Sequence, residues 1–474
     1  MNSQYILYGA GNRCSSLCEI AYESEIKVVA VVDSDSAKWG KKIGNYIIDS
    51  PEIIANYEDA VICITVADVQ AKESIKKSLK KICRDNFVEI NYSNMMLELY
   101  KSHRIIRETM KNLARNDKES ILFDCSMGLV LGGVEAWSMA ICKELLKQKE
   151  KEIYLISDSG EYEVDRCLDN QVIKTQINQE NRFSLNFILD MVANIAQYLP
   201  CKVVTSMVDE VMIAAYLIKA FYPDWIEVIS VIHNSNAYVY ESYNQFQVCS
   251  DRYVAVSHDI IENMKKIIPS KKVDFMTLPF ECEEHINRTY TINKEEPIRI
   301  GFAGRIVIEQ KRVDLLVKII ENLVLEDITF QMEIAGDGIE LPYMREKLSE
   351  LGVLNKVLFL GRIPREEMKD FWKDKDIYIN ISDYEGNCIT KLEAMGNGVV
   401  PVVTNTSGTK ENIVDGINGY IVKVGDYVSI VEKIKYLSLH REMLEIMGSK
   451  AHDMVYPKST MKTHMELWER LLFS

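Results

Sequence analysis

A chain of 474 residues is too long for one compact core and should fold as two or three domains. With 47% hydrophobic and 27% charged residues it has the make-up of an ordinary globular protein, which sets disorder aside. Its net charge of -14 excludes general nucleic-acid binding, because a protein that tracks phosphates needs a basic surface.

In chain order, Met1 to Gly9 shows no charged n-region ahead of an apolar one, so no leader is expected. No stretch of about 20 apolar residues follows, so no spanning helix is expected either. The 11 cysteines are scattered and free of C-x-x-C pairs. Cys14 and Cys18 stand one helical turn apart, without the His or second pair that zinc requires. Reduced, buried thiols in a cytoplasmic protein are therefore expected, with no metal.

Residues 1–92 alternate short β-rich runs with helical ones, the pattern of βαβ units on a parallel sheet. A strand at Tyr5 to Tyr8 runs into Gly9-Ala10-Gly11-Asn12-Arg13-Cys14, and a second strand ends in Asp33. Gly9, Gly11 and Asp33 come near a dinucleotide fingerprint, although Cys14 stands at its third glycine. Residues 93–118 read as a linker helix rich in Lys and Arg. Arg104, Arg107, Lys111, Arg115 and Lys118 recur at spacings of three and four. Together with the basic run Lys72 to Arg84, that face suits either an anionic membrane surface or the packing of one domain on another.

Alternation restarts at Ser120 and continues to about residue 290 through strands at 152–156, 201–204, 228–232 and 253–256. Gly132-Gly133-Val134-Glu135 opens a helix here, and His233 closes a strand. The apolar periodicity lapses near 281–297. A last α/β section then fills 291–455, and residues 456–474 form a C-terminal helix expected to pack back on the 119–290 domain. Paired doubly wound domains bind ligands at the carboxyl ends of their strands.

Two groups in the last section carry chemistry. Gly304-Arg305 ends a strand and Lys311 is expected at the start of the next helix, so both cations sit at the carboxyl edge of the sheet. They suit a diphosphate, Arg as a fork and Lys as a point charge, or else a solvated helix start. Further on, Ser382-Asp383-Tyr384-Glu385-Gly386-Asn387-Cys388-Ile389-Thr390-Lys391-Leu392-Glu393 joins a strand to a helix. The amides of Gly386, Asn387, Cys388 and Ile389 would leave the helix N-terminus as an anion site. Glu385 in the loop and Glu393 one turn into the helix suit hydroxyl groups, since an ionised carboxylate only accepts hydrogen bonds. Two D-x-D triplets, 33–35 and 374–376, read as coincidence rather than as metal sites.

In order, G-R-x-x-x-x-x-K (304–311), Ala335-Gly336-Asp337-Gly338, Leu360-Gly361-Arg362, E-x-x-x-x-x-x-x-E (385–393) and Asn418-Gly419-Tyr420 resemble family 4 of the nucleotide-sugar glycosyltransferases. These are retaining enzymes of the GT-B architecture, two Rossmann-like domains facing a cleft. The implied fold class is α/β, GT-B, preceded by a smaller Rossmann-like domain at 1–92. The resemblance implies that Arg305 and Lys311 hold the donor diphosphate and that Glu385 meets the transferred sugar. It implies that Glu393 takes the ribose, that Arg362 and Ile363 border the base, and that Gly132 and Gly133 approach the donor, with His233 beside the sugar. A spacer longer by one residue than the commonest family form leaves Arg312 as the substitute for Lys311.

The substrate implied is a UDP-sugar or GDP-sugar, with no cofactor and no metal required, and the acceptor a glycan or lipid-linked molecule. Bacterial-type polysaccharide or glycoconjugate synthesis, in the cytoplasm or peripherally at the inner face of the membrane, is the implied setting. The alternatives are a nucleotide-sugar epimerase, an oxidoreductase resting on Gly9 to Asp33, and a non-catalytic carbohydrate-binding protein.

Overall fold

The structure, a computed structural model, describes residues 4–57, 59–83, 87–125, 133–148, 152–158, 168, 171–175, 183–280, 282–458 and 460–473. The chain divides into two compact units. One holds Met1–Gly128, Gln148–Ser230 and Glu241–Asp251; the other holds Leu129–Lys147, Val231–Tyr240 and Arg252–Ser474.

In the first unit, β1 (Gln4–Tyr8), β2 (Lys27–Val32), β3 (Lys42–Ile43), β4 (Tyr46–Asp49), β5 (Val61–Ile64) and β6 (Val88–Ile90) form one sheet of order β3-β4-β2-β1-β5-β6. All its pairings are parallel except the β3–β4 hairpin. Apolar runs such as Lys27-Val-Val-Ala-Val-Val32 are what a strand covered on both faces requires. Ile6, Tyr8, Val32, Ile62, Ile64 and Leu79 pack into its core. Five more strands follow: β7 (Ser120–Cys125), β8 (Glu152–Asp158), β9 (Val172–Thr175), β10 (Cys201–Thr205) and β11 (Ile226–Ile232). They pair in parallel in the order β11-β10-β7-β8-β9.

The expected linker helix is two helices, Tyr92–Ser102 and Arg104–Lys111. His103 leaves helical geometry between them, and its Nδ1 accepts from the Ile105 N–H, capping the second helix. Arg115 and Lys118 lie beyond that helix, so the five cations do not share one helical face. Arg104 pairs with Glu23 at 3.1 Å and Glu108 at 3.5 Å, and Arg107 pairs with Glu25. Ile106 and Met110 are buried beneath them. This half of the basic surface is committed to packing within the unit.

In the second unit, β12 (Arg252–Ala255) and β13 (Val273–Phe275) pair in parallel. A six-stranded parallel sheet follows: β14 (Ile298–Ala303), β15 (Phe330–Ala335), β16 (Val357–Gly361), β17 (Ile377–Asn380), β18 (Val400–Thr404) and β19 (Tyr420–Val422). Its order is β16-β15-β14-β17-β18-β19. The chain walks outward from β14 to β16, then returns to the other side of β14 to lay down β17. The carboxyl ends of β14 and β17 thus flank a topological switch point, where open α/β sheets bind ligands. Below it, Ile300, Phe302, Leu316, Ile320, Met332, Ile334, Ile379 and Val402 fill the core.

Lys311 does not start the long helix. It ends a one-turn helix, Ile308–Lys311, and the long helix begins at Val313 after Arg312 has turned left-handed at φ 50°. The C-terminal helix runs Met461–Leu472, capped by the Thr460 hydroxyl, which accepts from the Thr463 N–H. No helix among the described residues is long and apolar enough to cross a membrane.

Candidate functional site

Arg305 follows β14 and Glu385 follows β17, so the switch point brings both to one edge of the sheet. Lys311 Nζ donates to Glu385 Oε1 at 2.6 Å, and the Ser382 hydroxyl donates to the same oxygen at 2.7 Å. Asn380 Nδ2 adds a longer contact at 3.5 Å. Burial works against the Glu385 carboxylate, but the charge of Lys311 and these hydrogen bonds prevail and hold its pKa below the usual range. Burial likewise works against the Lys311 ammonium, and Glu385 beside it raises its pKa instead. Both groups therefore stay charged, each largely neutralised by the other.

Arg305 is exposed, and among the described residues its guanidinium makes one hydrogen bond, from Nη2 to Gln310 Oε1 at 2.6 Å. Gln310 in turn donates from Nε2 to the Tyr384 carbonyl at 3.1 Å, tying the two site loops together. Arg312 is not free to replace Lys311. Its guanidinium donates to Asp314 at 3.0 Å and to Asp383 at 3.0 Å.

Gly386 has no room for a side chain: a Cβ there would lie 2.0 Å from the His233 carbonyl oxygen. The Ser235 hydroxyl donates to the Glu385 carbonyl at 2.6 Å, holding the same two segments together. Asn387 is buried, Cys388 is the N-cap position, and Ile389 opens the helix Ile389–Gly396. The Cys388 thiol lies 3.0 Å from the Thr390 hydroxyl. Glu393 is buried one turn into that helix.

The ring of His233 meets Trp137 edge-on, centroids 4.7 Å apart, and its Nε2 is buried without a hydrogen-bond partner among the described residues. Burial, helped by His464, pushes its pKa down to about 3. It is a neutral imidazole. Trp137 is itself held from below: Trp137 Nε1 and Trp468 Nε1 each donate to His464 Nε2 at 3.1 Å. His464 Nδ1 must then carry the proton it donates to the Thr277 carbonyl at 2.6 Å. Burial lowers the His464 pKa to about 4, which keeps this tautomer neutral.

Gly132 lies outside the described residues. Gly133 opens the helix Gly133–Gln148, and a Cβ on it would lie 3.7 Å from Ile389 Cδ1. Arg365 Nη1 donates to the Ala136 carbonyl at 3.0 Å in the first turns of that helix. Arg362 is exposed and lies 3.7 Å from Asp337; Ile363 follows it in the loop after β16. Gly336, at φ 138°, admits that turn because a Cβ there would be 1.9 Å from the Gly304 carbonyl.

In the first unit, Asp33 is engaged by its own neighbours. It accepts from the N–H of Ala10 at 2.7 Å, from Lys38 at 2.9 Å and from the N–H of Asp35 at 2.8 Å. Gly9 and Gly11 shape the turn before the helix Asn12–Ala21. Asp376, from the second acidic triplet, is fully buried and accepts from Arg299 and from the Thr291 N–H.

Sequence reasoning missed Asn380, Ser382, Gln310 and the Trp137–His464–Trp468 group. Asn380 and Ser382 had a readable signal, a polar residue closing an otherwise apolar strand and a second just beyond it. The tryptophan–histidine group had none.

Residues 284–454 match the family described as "Glycosyl transferases group 1", and residues 1–87 match "C2185-like, N-terminal". The chain is 24% identical over 277 residues to N-acetyl-alpha-D-glucosaminyl L-malate synthase of Bacillus anthracis, covering 55% of this chain and 71% of that protein. Two further curated relatives are matched over 40% and 35% of their own lengths. Among solved structures, Anabaena HepE in complex with UDP and glucose superposes with a TM-score of 0.61 at 14% identity, over 75% of this chain and 99% of that one. S. aureus TarM, in complex with fondaparinux, alpha-GlcNAc-glycerol and UDP, superposes over 100% of both chains with a TM-score of 0.51 at 13% identity.

The fold is GT-B, with an additional N-terminal α/β sheet. Within it, residues 284–454 match the glycosyl transferases group 1 family, which is the coarse class that the fold and the site define for this segment.

Proposed function

We propose that the chain is a retaining glycosyltransferase that moves a sugar from a UDP-sugar or GDP-sugar to a glycan or lipid-linked acceptor, without a metal. The observation that carries this is the meeting of Lys311, Glu385, Arg305 and the start of the Ile389–Gly396 helix at the switch point of the six-stranded sheet. Cations and helix N–H groups suit a departing diphosphate, and fixed donors aimed at growing charge lower the barrier to its departure. In the two solved structures named above, UDP is the nucleotide bound, which supports a nucleotide-sugar donor.

On this reading Arg305 and Lys311 bind the diphosphate, Glu385 the transferred sugar, Glu393 the ribose, and Arg362 with Ile363 the base. The amides of residues 386–389, with Gly132 and Gly133, face the donor. The bond from the anomeric carbon to the phosphate oxygen breaks while the acceptor hydroxyl oxygen bonds that carbon from the same face. The hydroxyl proton passes to the departing diphosphate. His233, neutral, accepts a hydrogen bond from or donates one to the sugar, and does not serve as a charged acid. Residues 291–455 take the donor role, 119–290 the acceptor role, and 1–92 an interaction or regulatory role ahead of a nucleotide-binding one. The carboxylate engagement of Asp33 supports that order.

The test is a panel of UDP- and GDP-sugars screened for thermal stabilisation, followed by turnover on the best binder and NMR of the product's anomeric centre. Glu385→Gln and Arg305→Ala, checked by circular dichroism, should lose turnover. Undiminished turnover in both would remove the site assignment, and an inverted product would remove the mechanism.

A further inference from the structure

Lys391 lies on the buried side of the helix Ile389–Gly396 and is 2% exposed. Its ammonium donates to Asn387 Oδ1 at 3.1 Å and to the Gly408 carbonyl at 2.8 Å. Both acceptors are neutral. Three other cations around this sheet reach carboxylates: Lys311 reaches Glu385, Lys375 reaches Glu333 at 3.0 Å, and Arg299 reaches Asp376 at 3.1 Å. Buried Arg441 donates to the carbonyls of Ser438, Thr291 and Glu296, away from the turn 386–389. Among the described residues Lys391 has no ion pair. A charge taken out of water without a counter-charge is costly, and it persists where something offsets the cost.

Holding the loops together does not require this charge. Asn412 Nδ2 already donates to the same two acceptors, to Asn387 Oδ1 at 3.2 Å and to the Gly408 carbonyl at 2.9 Å. Asn387 is further fixed by its own Nδ2, which donates to the Val256 carbonyl at 3.1 Å. What the lysine adds to this network is a positive charge directly beneath the turn 386–389. The charge of Lys311, by comparison, is balanced by Glu385.

We propose that Lys391 is a positioning residue for the donor site, whose unpaired ammonium takes the nucleoside diphosphate as its missing counter-charge. This rests on the donor-site reading above and adds a residue to it. Burial lowers the Lys391 pKa to about 8, against the fields of Cys388, Glu411, Glu385 and Asp259. The sign follows. A bound anion raises that pKa again, so above about pH 8 binding takes up a proton and affinity falls as pH rises. Lys311, whose pKa Glu385 raises, stays charged across this range and adds no slope.

The experiment is calorimetric titration of the full chain with UDP and with GDP between pH 7 and 9. It uses the wild type, Lys391→Met (similar length, no charge) and Lys391→Gln (a donor, no charge). Expected are a loss of wild-type affinity above pH 8, at least about tenfold weaker binding at pH 7 in both variants, and disappearance of the pH slope in both. Wild-type affinity in Lys391→Gln with loss in Lys391→Met would show a hydrogen-bond role and overturn the proposal. So would an unchanged slope in either variant, or a wild type with no slope at all, a readout that does not depend on the variants folding. Tight binding that Arg305→Ala weakens and Lys391→Met does not would sink this inference and leave the donor site standing. No binding of either nucleotide by the wild type would sink both.

Discussion

Replacing Lys311 with Met removes one partner of a buried pair and leaves the Glu385 carboxylate in place, with 9% of its side chain exposed. Removing one partner of such a pair costs about 3–5 kcal/mol, mostly because the remaining charge is stranded. Ser382 Oγ at 2.7 Å still donates to Glu385, which places the cost near the lower end, about 3 kcal/mol. For a domain of this class that is a fall of about 6–12 °C in Tm. The double variant Lys311→Met/Glu385→Gln removes the stranded charge and should recover most of the loss, a coupling that a thermal double-mutant cycle reads directly. The pH dependence has a definite sign. The pKa of Glu385 is lowered on folding, so its contribution is present above the usual carboxylate value of about 4.3 and is lost as pH falls through the folded value. The pKa of Lys311 is raised, so its contribution is complete below about 10.4 and is lost only at still higher pH. The deficit of Lys311→Met should be level between about pH 5 and 10 and should shrink in acid. A single variant that melts within 2 °C of the wild type, by the ~2–4 °C per kcal/mol scale, would refute the reasoning, as would a double variant no more stable than the single.

Three further outcomes follow from the geometry. Gly386→Ala forces the turn away from the His233 carbonyl, and a misplacement of about 1 Å at a reacting centre should lower kcat about a hundredfold; kinetics at saturating donor measures it. His233, with a pKa near 3, should contribute no limb to the pH–rate profile between pH 5 and 8, and a limb near 6.5 that vanishes in His233→Ala would contradict its neutral state. His464→Ala leaves two indole N–H groups and the Thr277 carbonyl without their partner, at about 1–3 kcal/mol for each buried orphan, and should lower Tm and shift the near-ultraviolet tryptophan signal.

The donor-side landmarks were legible because each stands where a strand hands over to a helix. Gly304 and Arg305 follow β14, Ser382 to Glu385 follow β17, and a period of two giving way to a period near four marks those joints. What joins the landmarks was not legible. Lys311 and Glu385 are 74 positions apart, and no local rule assigns one as the partner of the other. The commitment of Arg312 to Asp314 and Asp383 depends on a left-handed residue that spacing does not reveal. The break at His103 was missed because buried Leu99, Tyr100, Ile106 and Met110 keep a nearly helical rhythm across it. Lys391 carried a signal that went unread: a charge on the buried stretch of a helix between Ile389 and Leu392.

The hydrogen bonds of His464 bear on where the chain can be cut. Trp137, Thr277, His464 and Trp468 come from three stretches of sequence, all outside residues 284–454, yet they belong to the same compact unit as that segment. Arg365, inside the segment, donates to the carbonyls of Ala136 and Pro279, both outside it. A fragment trimmed to the family boundaries would therefore shed the residues on which its own surface is built. The smallest piece expected to fold is not a contiguous run, and dissecting the protein calls for point substitutions rather than truncation.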